Sequence, residues 1–377
     1  MSEINWLAPI MSPSGYATVN RNLVVALHKL GVKVNLVNQK TWDVLTIKDF
    51  QLDQKDILEQ SLSNKFNFDY PFVYYTTPHN WYQLQVSGAK YTIIGSMFEV
   101  DRIPKDWVEV SQKVNEFWIP SIFNLETYYL SGVAISKLHV MPLGVDIDFY
   151  YHTIPDVIIQ NKRKFAFILL SQWTYRKGFD ILIEAFIEEF MPNEDVCLIL
   201  KTYLADYSER CNNIIRENIK HLINNQLHAP ILLYLGQLTP AEIRSFYNLG
   251  DCFVMPTRGE GWNLPLIEAM SCGIPTIVTD WSAHKMYTDT NKSYLIDYKL
   301  VNTEASKLTW IFSGYKDSFC AEPNKEHLKK LMRYVYEHQE EAKQKAQVGR
   351  KFLEENFTWE KAAKNILKRL NEIQCII

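Results

Sequence analysis

The sequence predicts an α/β protein built from two doubly wound, Rossmann-like domains that face each other across a cleft. Three observations carry that expectation. Short apolar runs alternate with segments of helical period, the pattern of βαβ units and parallel sheets. The alternation begins twice, at Ile4 and again at Phe165. A chain of 377 residues also exceeds one ordinary core, at roughly 100–200 residues per domain.

Ile4–Ala8 reads as the first strand. The stretch from Pro9 to Tyr16, with Ser12, Pro13, Ser14 and Gly15, reads as a loop. Leu23, Ala26, Leu27 and Leu30 then recur at helical spacing, and Gly31 stops the helix. Val32, Val34 and Leu36 alternate as a strand. Further strands are expected at Phe72–Thr76, Tyr91–Ile94, Phe117–Ile119 and His139–Met141. Pro142-Leu-Gly-Val-Asp146 reads as the turn that ends a first domain, placed at 1–150, with the connection running to Arg163.

The second domain is expected over 163–358. Its strands read as Phe165–Leu170, Val196–Leu200, Ile231–Leu235, Cys252–Met255 and Thr276–Val278. Phe179–Phe190 reads as a helix, as does Pro240–Leu249, with Thr239 as N-cap and Pro240 in the first turn. A further helix starts at Leu264, and Glu326–Ile373 is mostly helical with a break at Phe357-Thr-Trp359. In such sheets ligands lie beyond the carboxyl ends of the strands. Functional residues are therefore expected in Met11–Tyr16, Thr77–Trp81, Ser96–Arg102, Ser171–Gly178 and Thr257–Asn263.

Composition narrows the partners. Forty Lys and Arg against 43 Asp and Glu give a formal charge of −3, without the basic excess of a nucleic-acid binder. None of the six cysteines forms a C-x-x-C pair and no His cluster accompanies them, so no zinc or redox motif is expected. That usage points to a reducing, cytoplasmic compartment. No signal peptide is read at Met1–Pro9, and no run approaches the ~18 apolar residues of a spanning helix. Membrane association is not indicated, because no basic amphipathic helix stands out. Aromatics, at 13%, are assigned mainly to the cores.

The densest loop is Pro256-Thr-Arg-Gly-Glu-Gly-Trp-Asn-Leu-Pro-Leu-Ile-Glu268, continuing to Gly273. Glycines flank Glu260, so a ligand can approach the backbone closely there. Leu264 and Pro265 open a helix with Asn263 as N-cap, and its free N–H groups and dipole favour an anion or sugar oxygens. Seven residues separate Glu260 from Glu268, so the two suit different parts of one extended ligand.

This loop resembles the signature of the retaining glycosyltransferases of family four, the glycosyl transferases group 1, which have the GT-B fold. The residues that carry the resemblance are Glu260-Gly261-Trp262-Asn263-Leu264-Pro265, then Glu268-Ala-Met-Ser-Cys-Gly273 and Pro275. Tyr247-Asn-Leu-Gly-Asp251 and Phe253-Val-Met-Pro256 resemble the preceding helix and strand. Arg176-Lys177-Gly178 resembles the phosphate-binding segment, Pro142–Asp146 the interdomain turn and Ser14-Gly15-Tyr16 the N-terminal loop. The helix over 360–377 resembles the one that crosses back to the first domain.

The resemblance implies that Glu268 holds ribose hydroxyls and Glu260 the hydroxyls of a donor sugar. Gly261, Trp262, Asn263 and Leu264 would present backbone N–H groups to the sugar and diphosphate. Lys177 would neutralise the departing diphosphate, with Gly15 allowing close approach from the first domain. Fixed cations and helix-end amides stabilise an anion where its charge develops, so no metal and no other cofactor is expected.

The sequence departs from the family at two places. A Gly-Arg pair usually precedes the lysine, and Ser171-Gln172 occupies its place, with Arg176 as a candidate second cation. The family histidine that contacts the donor sugar is also missing. Glu99, within Phe98-Glu-Val-Asp-Arg-Ile-Pro104 and followed by Trp107, is one candidate to replace it; His79, in Thr77-Pro-His-Asn80, is the other.

The implied activity is retaining transfer of a hexose from a donor such as a UDP- or GDP-hexose. The acceptor is a hydroxyl of a glycan, glycoconjugate or lipid-linked sugar, as in polysaccharide biosynthesis. Two rival readings are a non-catalytic nucleotide-sugar-binding protein and a sugar-nucleotide epimerase on the same fold. A dinucleotide oxidoreductase lacks its G-x-G-x-x-G after the first strand.

Overall fold

The computed structural model describes residues 2–40, 43, 45, 50, 52–76, 89–155, 158–310 and 312–374. The chain forms two compact units, Met1–Gly144 with Asn356–Ile377, and Val145–Glu355.

In the first unit β1 (Glu3–Ala8), α1 (Gly15–Lys29) and β2 (Lys33–Asn38) make the opening βαβ, followed by α2 (Leu52–Ser63), β3 (Phe72–Tyr75) and β4 (Thr92–Gly95). Then come α3 (Lys105–Val110), β5 (Glu116–Ile119), α4 (Ile122–Leu130) and β6 (Leu138–Val140). The strands form one six-stranded sheet in the order β2-β1-β3-β4-β5-β6, with parallel pairs throughout. The order reverses between β1 and β3, so the loop from β1 into α1 opens at the switch point where such sheets bind ligands.

The sequence explains α1. The Ser14 side chain caps it by accepting from the Ala17 N–H at 3.3 Å, while Leu23, Val24 and Leu27 bury against the sheet. Trp6 anchors the core beneath: its ring stacks on Tyr75 at 5.9 Å, and its indole N–H donates to Asn20 Oδ1 at 2.8 Å.

The C-terminal helix, Trp359–Gln374, belongs to this unit. Its apolar face buries Ala363, Ile366, Leu370 and Ile373. It is also pinned by charge, because Arg369 Nη2 donates to the buried Glu116 carboxylate on β5 at 2.7 Å.

The second unit runs β7 (Phe165–Gln172), α5 (Phe179–Glu189), β8 (Val196–Tyr203), α6 (Glu209–Ile223), β9 (Ile231–Tyr234), α7 (Pro240–Leu249), β10 (Cys252–Met255), α8 (Leu264–Ser271), β11 (Thr276–Thr279) and β12 (Tyr294–Ile296). A hairpin, β13 (Tyr298–Asn302) with β14 (Phe319–Pro323), precedes α9 (Lys325–Glu337) and α10 (Gln339–Asn356). The main sheet has the order β12-β11-β10-β7-β8-β9. Its strands are nearly all apolar because helices cover both faces of a parallel sheet. The order reverses between β7 and β10, which makes the loops after those two strands neighbours at the switch point.

One glycine makes that neighbourhood possible. Gly178 has φ +73°, and a Cβ there would meet the Pro256 carbonyl oxygen at 1.9 Å. The turn after β7 thus packs directly on the loop after β10. Capping fixes the helix starts in this unit: Thr239 and Glu242 form a reciprocal capping box on α7, and the Asn263 side chain caps α8.

The hairpin, β12, α2, α3, α4 and α6 are additions to the elements expected from the sequence. Helix α6 is amphipathic but polar overall, burying only Cys211, Asn212, Ile215 and Ile219, so its apolar stripe is narrow.

Candidate functional site

Two clusters of expected site residues form, one in each unit. In the second unit, β7 ends at Gln172 and a 3-10 turn, Tyr175–Lys177, carries both cations. Lys177 Nζ donates to Glu260 Oε1 at 2.8 Å and to Oε2 at 2.9 Å. Arg176 Nη1 lies 3.2 Å from Glu260 Oε1 and donates to the Gly259 carbonyl at 2.6 Å. Thr257 Oγ1 adds a third donor to the carboxylate, at 2.8 Å. Glu260 is buried. Burial alone raises its carboxyl, but the charges of Lys177 and Arg176 outweigh that and bring it down to about 2.

The backbone of Glu260 is gripped as well. Its N–H donates to Ser282 Oγ at 3.0 Å, and its carbonyl accepts from the Ala283 N–H. Ser282 adopts φ +86°, ψ −162°, a region glycine favours. Such strain is held only where surrounding bonds over-determine it.

Arg258 sets the height of the whole arrangement. It is 1% exposed, forms ion pairs with Asp180 at the start of α5 and with Glu322 on β14, and lies 3.6 Å over the Tyr175 ring. Its Nη1 also donates to the Tyr175 carbonyl at 2.7 Å. The Arg258 N–H itself donates to the Arg176 carbonyl at 2.7 Å. The loop after β10 therefore holds the cation-bearing turn after β7 by side chain and by backbone.

Gly261, Trp262, Asn263 and Leu264 lead from Glu260 into α8. Asn263 takes the left-handed conformation, φ +74°, and its Oδ1 accepts from Leu266 N–H at 3.4 Å. Its Nδ2 is buried with no acceptor in hydrogen-bond reach among the described residues. The Trp262 ring faces inward, 5.3 Å from the Tyr287 ring. The Tyr287 hydroxyl donates to the Trp262 and Asn263 carbonyls, which orients the peptide units entering the helix.

Glu268 lies one turn further along α8, buried. Tyr247 on α7 donates its hydroxyl to Glu268 Oε2 at 2.7 Å, and its ring touches Tyr150 edge-on at 6.1 Å. Burial pushes the Glu268 carboxyl up to about 7, against hydrogen bonds from Tyr247 and Tyr150 that lower it. Glu260 and Glu268 thus have opposite electrostatics: one is a fixed anion, the other titrates near neutrality.

In the first unit Gly15 is exposed at the start of α1. Arg21 Nη1 holds the preceding loop by donating to the Ile10 and Ser12 carbonyls. The Tyr16 hydroxyl accepts from the Met97 N–H at 3.2 Å, which ties the Gly15 turn to the segment after β4. Glu99 follows in that segment, half-buried. Its neighbour Phe98 is fixed by Asn124, which donates to the Phe98 carbonyl at 2.7 Å, and by Trp107 at 4.9 Å. His79 lies outside the described residues.

Ser282 and Tyr247 hold the site yet lie outside the stretches expected from the sequence, and Thr257 and Arg258 lie inside one of them without an assigned role. Arg258 and Thr257 lie inside the signature loop, and Tyr247 inside a quoted motif. Nothing local marks Ser282. Among the described residues no group of three or more His, Cys, Asp or Glu could hold a metal ion, and no helix is long and apolar enough to cross a membrane.

Residues 164–313 match the family model described as glycosyl transferases group 1. Mannosylfructose-phosphate synthase of Agrobacterium fabrum is 27% identical over 157 residues, which are 39% of this chain and 34% of that protein. An uncharacterized glycosyltransferase of Sulfolobus islandicus rod-shaped virus 1 is 22% identical over 182 residues, 42% of this chain and 51% of that one. The chain therefore spans about a third to a half of the length of these relatives. Among solved structures, Anabaena HepE in complex with UDP and glucose has a TM-score of 0.67 at 13% identity, covering 99% of this chain and 100% of its own. Sucrose-phosphate synthase from Thermosynechococcus elongatus has a TM-score of 0.71 at 13% identity, with all of both chains covered.

Proposed function

We propose that this chain, which has the GT-B fold and matches the group 1 glycosyl transferase family model over residues 164–313, transfers a hexose, with retention, from a nucleotide diphosphate sugar to an acceptor hydroxyl. The observation that carries this reading is the Arg176–Lys177–Glu260 cluster at the switch point between β7 and β10. A carboxylate flanked by two cations and followed directly by a helix N-terminus suits a ligand with hydroxyls at one end and a diphosphate beside them. HepE, whose fold this chain shares, is described in complex with UDP and glucose, which supports a nucleotide-sugar donor.

On this reading Glu268 accepts hydrogen bonds from the ribose and Glu260 from the sugar. The unsatisfied Asn263 Nδ2 and the first N–H groups of α8 donate to sugar and phosphate oxygens. The bond between the sugar C1 and the β-phosphate oxygen breaks, and the nucleoside diphosphate leaves as an anion. The acceptor oxygen attacks from the same face, and its proton passes to the leaving phosphate. No protein nucleophile is required. Lys177 and Arg176 stabilise the charge on the leaving group, the role a metal takes in other transferases. We therefore propose that turnover persists in the presence of EDTA. Glu99 is a proposed contact to sugar or acceptor. Among the described residues five cysteines, Cys197, Cys211, Cys252, Cys272 and Cys320, are buried and free, which supports a reducing compartment such as the cytoplasm.

The deciding experiment is a thermal-shift panel of UDP-, GDP-, ADP- and dTDP-sugars, followed by turnover with and without sugar acceptors. A donor stabilises the fold by mass action, and the selected donor should give a free nucleoside diphosphate and a glycosylated acceptor. Glu268→Ala should abolish the shift. Binding without transfer would favour a binding protein, and an isomerised sugar nucleotide would favour an epimerase.

A further inference from the structure

Strand β8 carries a lysine within the apolar run Val196-Cys-Leu-Ile-Leu-Lys-Thr-Tyr203. Lys201 is 4% exposed, and among the described residues no carboxylate lies within ion-pairing distance of its ammonium. The cations of the signature loop and of the turn after β7 are paired: the half-buried Lys177 and Arg176 with Glu260, and the buried Arg258 with Asp180 and Glu322. An ammonium withdrawn from water without a counter-charge is costly. Burial accordingly draws Lys201 down to about 8, which still leaves it mostly charged at neutral pH.

The direction of the side chain is set by two rings. The ammonium lies 5.3 Å from the Tyr203 ring and 4.8 Å from the Tyr207 ring. Tyr203 is two residues on, on the same face of the strand, and Tyr207 follows the end of β8. Lys201 therefore leans toward the carboxyl end of its strand, the end that binds ligands in a parallel sheet.

Lys201 is level with Leu170 of β7, and Gln172 is level with Tyr203. Residue 172 is where the family resemblance places an arginine. Here its side-chain amide instead donates to the Leu204 carbonyl at 2.9 Å. A cation is thus absent at the end of β7 and present, unpaired, near the same end of the adjacent strand, about 4.8 Å away.

We propose that Lys201 is a phosphate-binding cation of this chain, which reaches the diphosphate of the donor from β8 in place of the arginine that β7 lacks. The assignment rests on the nucleotide-sugar reading of the same unit. The two aromatic faces pre-order the ammonium through cation–π attraction, and the incoming diphosphate supplies the counter-charge that the protein withholds.

Calorimetric titration of wild type, Lys201→Met and Lys201→Arg with UDP, GDP, ADP and dTDP, and with the matching nucleosides, tests this. The Met variant should lose about ten- to hundred-fold in affinity for the diphosphate that wild type binds, with nucleoside affinity unchanged. The Arg variant should recover part of it. Unchanged diphosphate affinity in the Met variant overturns the Lys201 assignment and leaves the donor reading standing. An equal loss for nucleoside and diphosphate also overturns it, because that marks a purely structural role. A wild type that binds none of the four diphosphates defeats the donor reading and this proposal with it. Should the Met variant not fold, the wild-type protein decides. Tyr203 and Tyr207, the ionisable groups that the ammonium faces, have phenols raised by burial. Diphosphate binding at pH 8.5 should then take up a fraction of a proton, read from buffers of different ionisation heat. No uptake overturns the proposal.

Discussion

Lys177 donates to both carboxylate oxygens of Glu260, at 2.8 and 2.9 Å, so the main cation and the main anion of the site are bound to each other. A diphosphate and this carboxylate compete for the same ammonium. Glu260→Gln should therefore raise affinity for the free nucleoside diphosphate several-fold while lowering turnover of the intact sugar donor about 10²–10³-fold. Titration calorimetry and a transfer assay measure the two effects. A fall in nucleoside diphosphate affinity would show that the pair does not restrain Lys177. The converse variant, Lys177→Met, leaves Glu260 with Arg176 and Thr257 and should cost about 3 kcal/mol of stability.

Glu268 makes donor binding depend on pH near neutrality. Its carboxyl, at about 7 in the folded chain, is raised above the ordinary value of 4.5 by burial. The native state holds this proton to higher pH than the unfolded chain does. Its stabilising contribution is complete below about 4.5 and is lost as pH rises through 7, a difference of about 3 kcal/mol. Ribose hydroxyls prefer the ionised form as acceptor, so donor affinity should rise between pH 6 and 8 as stability falls. Glu268→Gln should flatten the stability profile, and a donor titration at three pH values checks the affinity trend. Tyr247→Phe removes a hydrogen bond to the carboxylate and should move the midpoint upward.

The two doubly wound units were legible because β-strands and helices differ in period. The α7 N-cap Thr239, the strand Cys252–Met255 and the start of α8 at Leu264 fall where the sequence places them. The signature loop was legible because glycines and a capping asparagine leave local marks. Other parts had no local mark. Lys201 reads as one polar residue in an apolar strand until the sheet order brings it beside Gln172. The grip of Ser282 on Glu260 joins residues 22 apart, and the clamp of Arg258 on Asp180 joins residues 78 apart. Such pairings depend on strand order, which periodicity does not encode. Arg176, equally compatible with a solvated surface by sequence, lies against Glu260 because the Gly178 turn packs on Pro256.

Arg258 should prove the main structural support of the site. It is buried, with bidentate partners Asp180 and Glu322, whose hydrogen bonds and charges hold its guanidinium above the usual range despite burial. Removing the cation strands two carboxylates and frees the Tyr175–Lys177 turn. Arg258→Ala should cost about 3–5 kcal/mol, seen as a lower midpoint in urea. Arg258→Lys should restore little, because a single ammonium cannot serve two carboxylates and a carbonyl in this fork geometry. A Lys variant as stable as wild type would contradict the clamp.

Acid should loosen the C-terminal helix. Glu116 is buried on β5, where Arg369, Trp118 and His139 surround its carboxylate. Burial raises its carboxyl, but the nearby His139 and the hydrogen-bonded Arg369 outweigh that and hold it below the ordinary carboxylate range. For a lowered group the stabilisation is present above the unfolded value of about 4.5 and is lost as pH falls below it. Amide exchange over Trp359–Gln374 should therefore accelerate between pH 5 and pH 3.5 beyond the intrinsic trend. Arg369→Gln should show faster exchange already at pH 6, with about 1–3 kcal/mol less protection. Because the second unit shares none of these contacts, exchange in β7 and β10 should stay unchanged in that variant. Equal acceleration in both units would mean that the Glu116–Arg369 pair supports the whole fold instead of latching one helix.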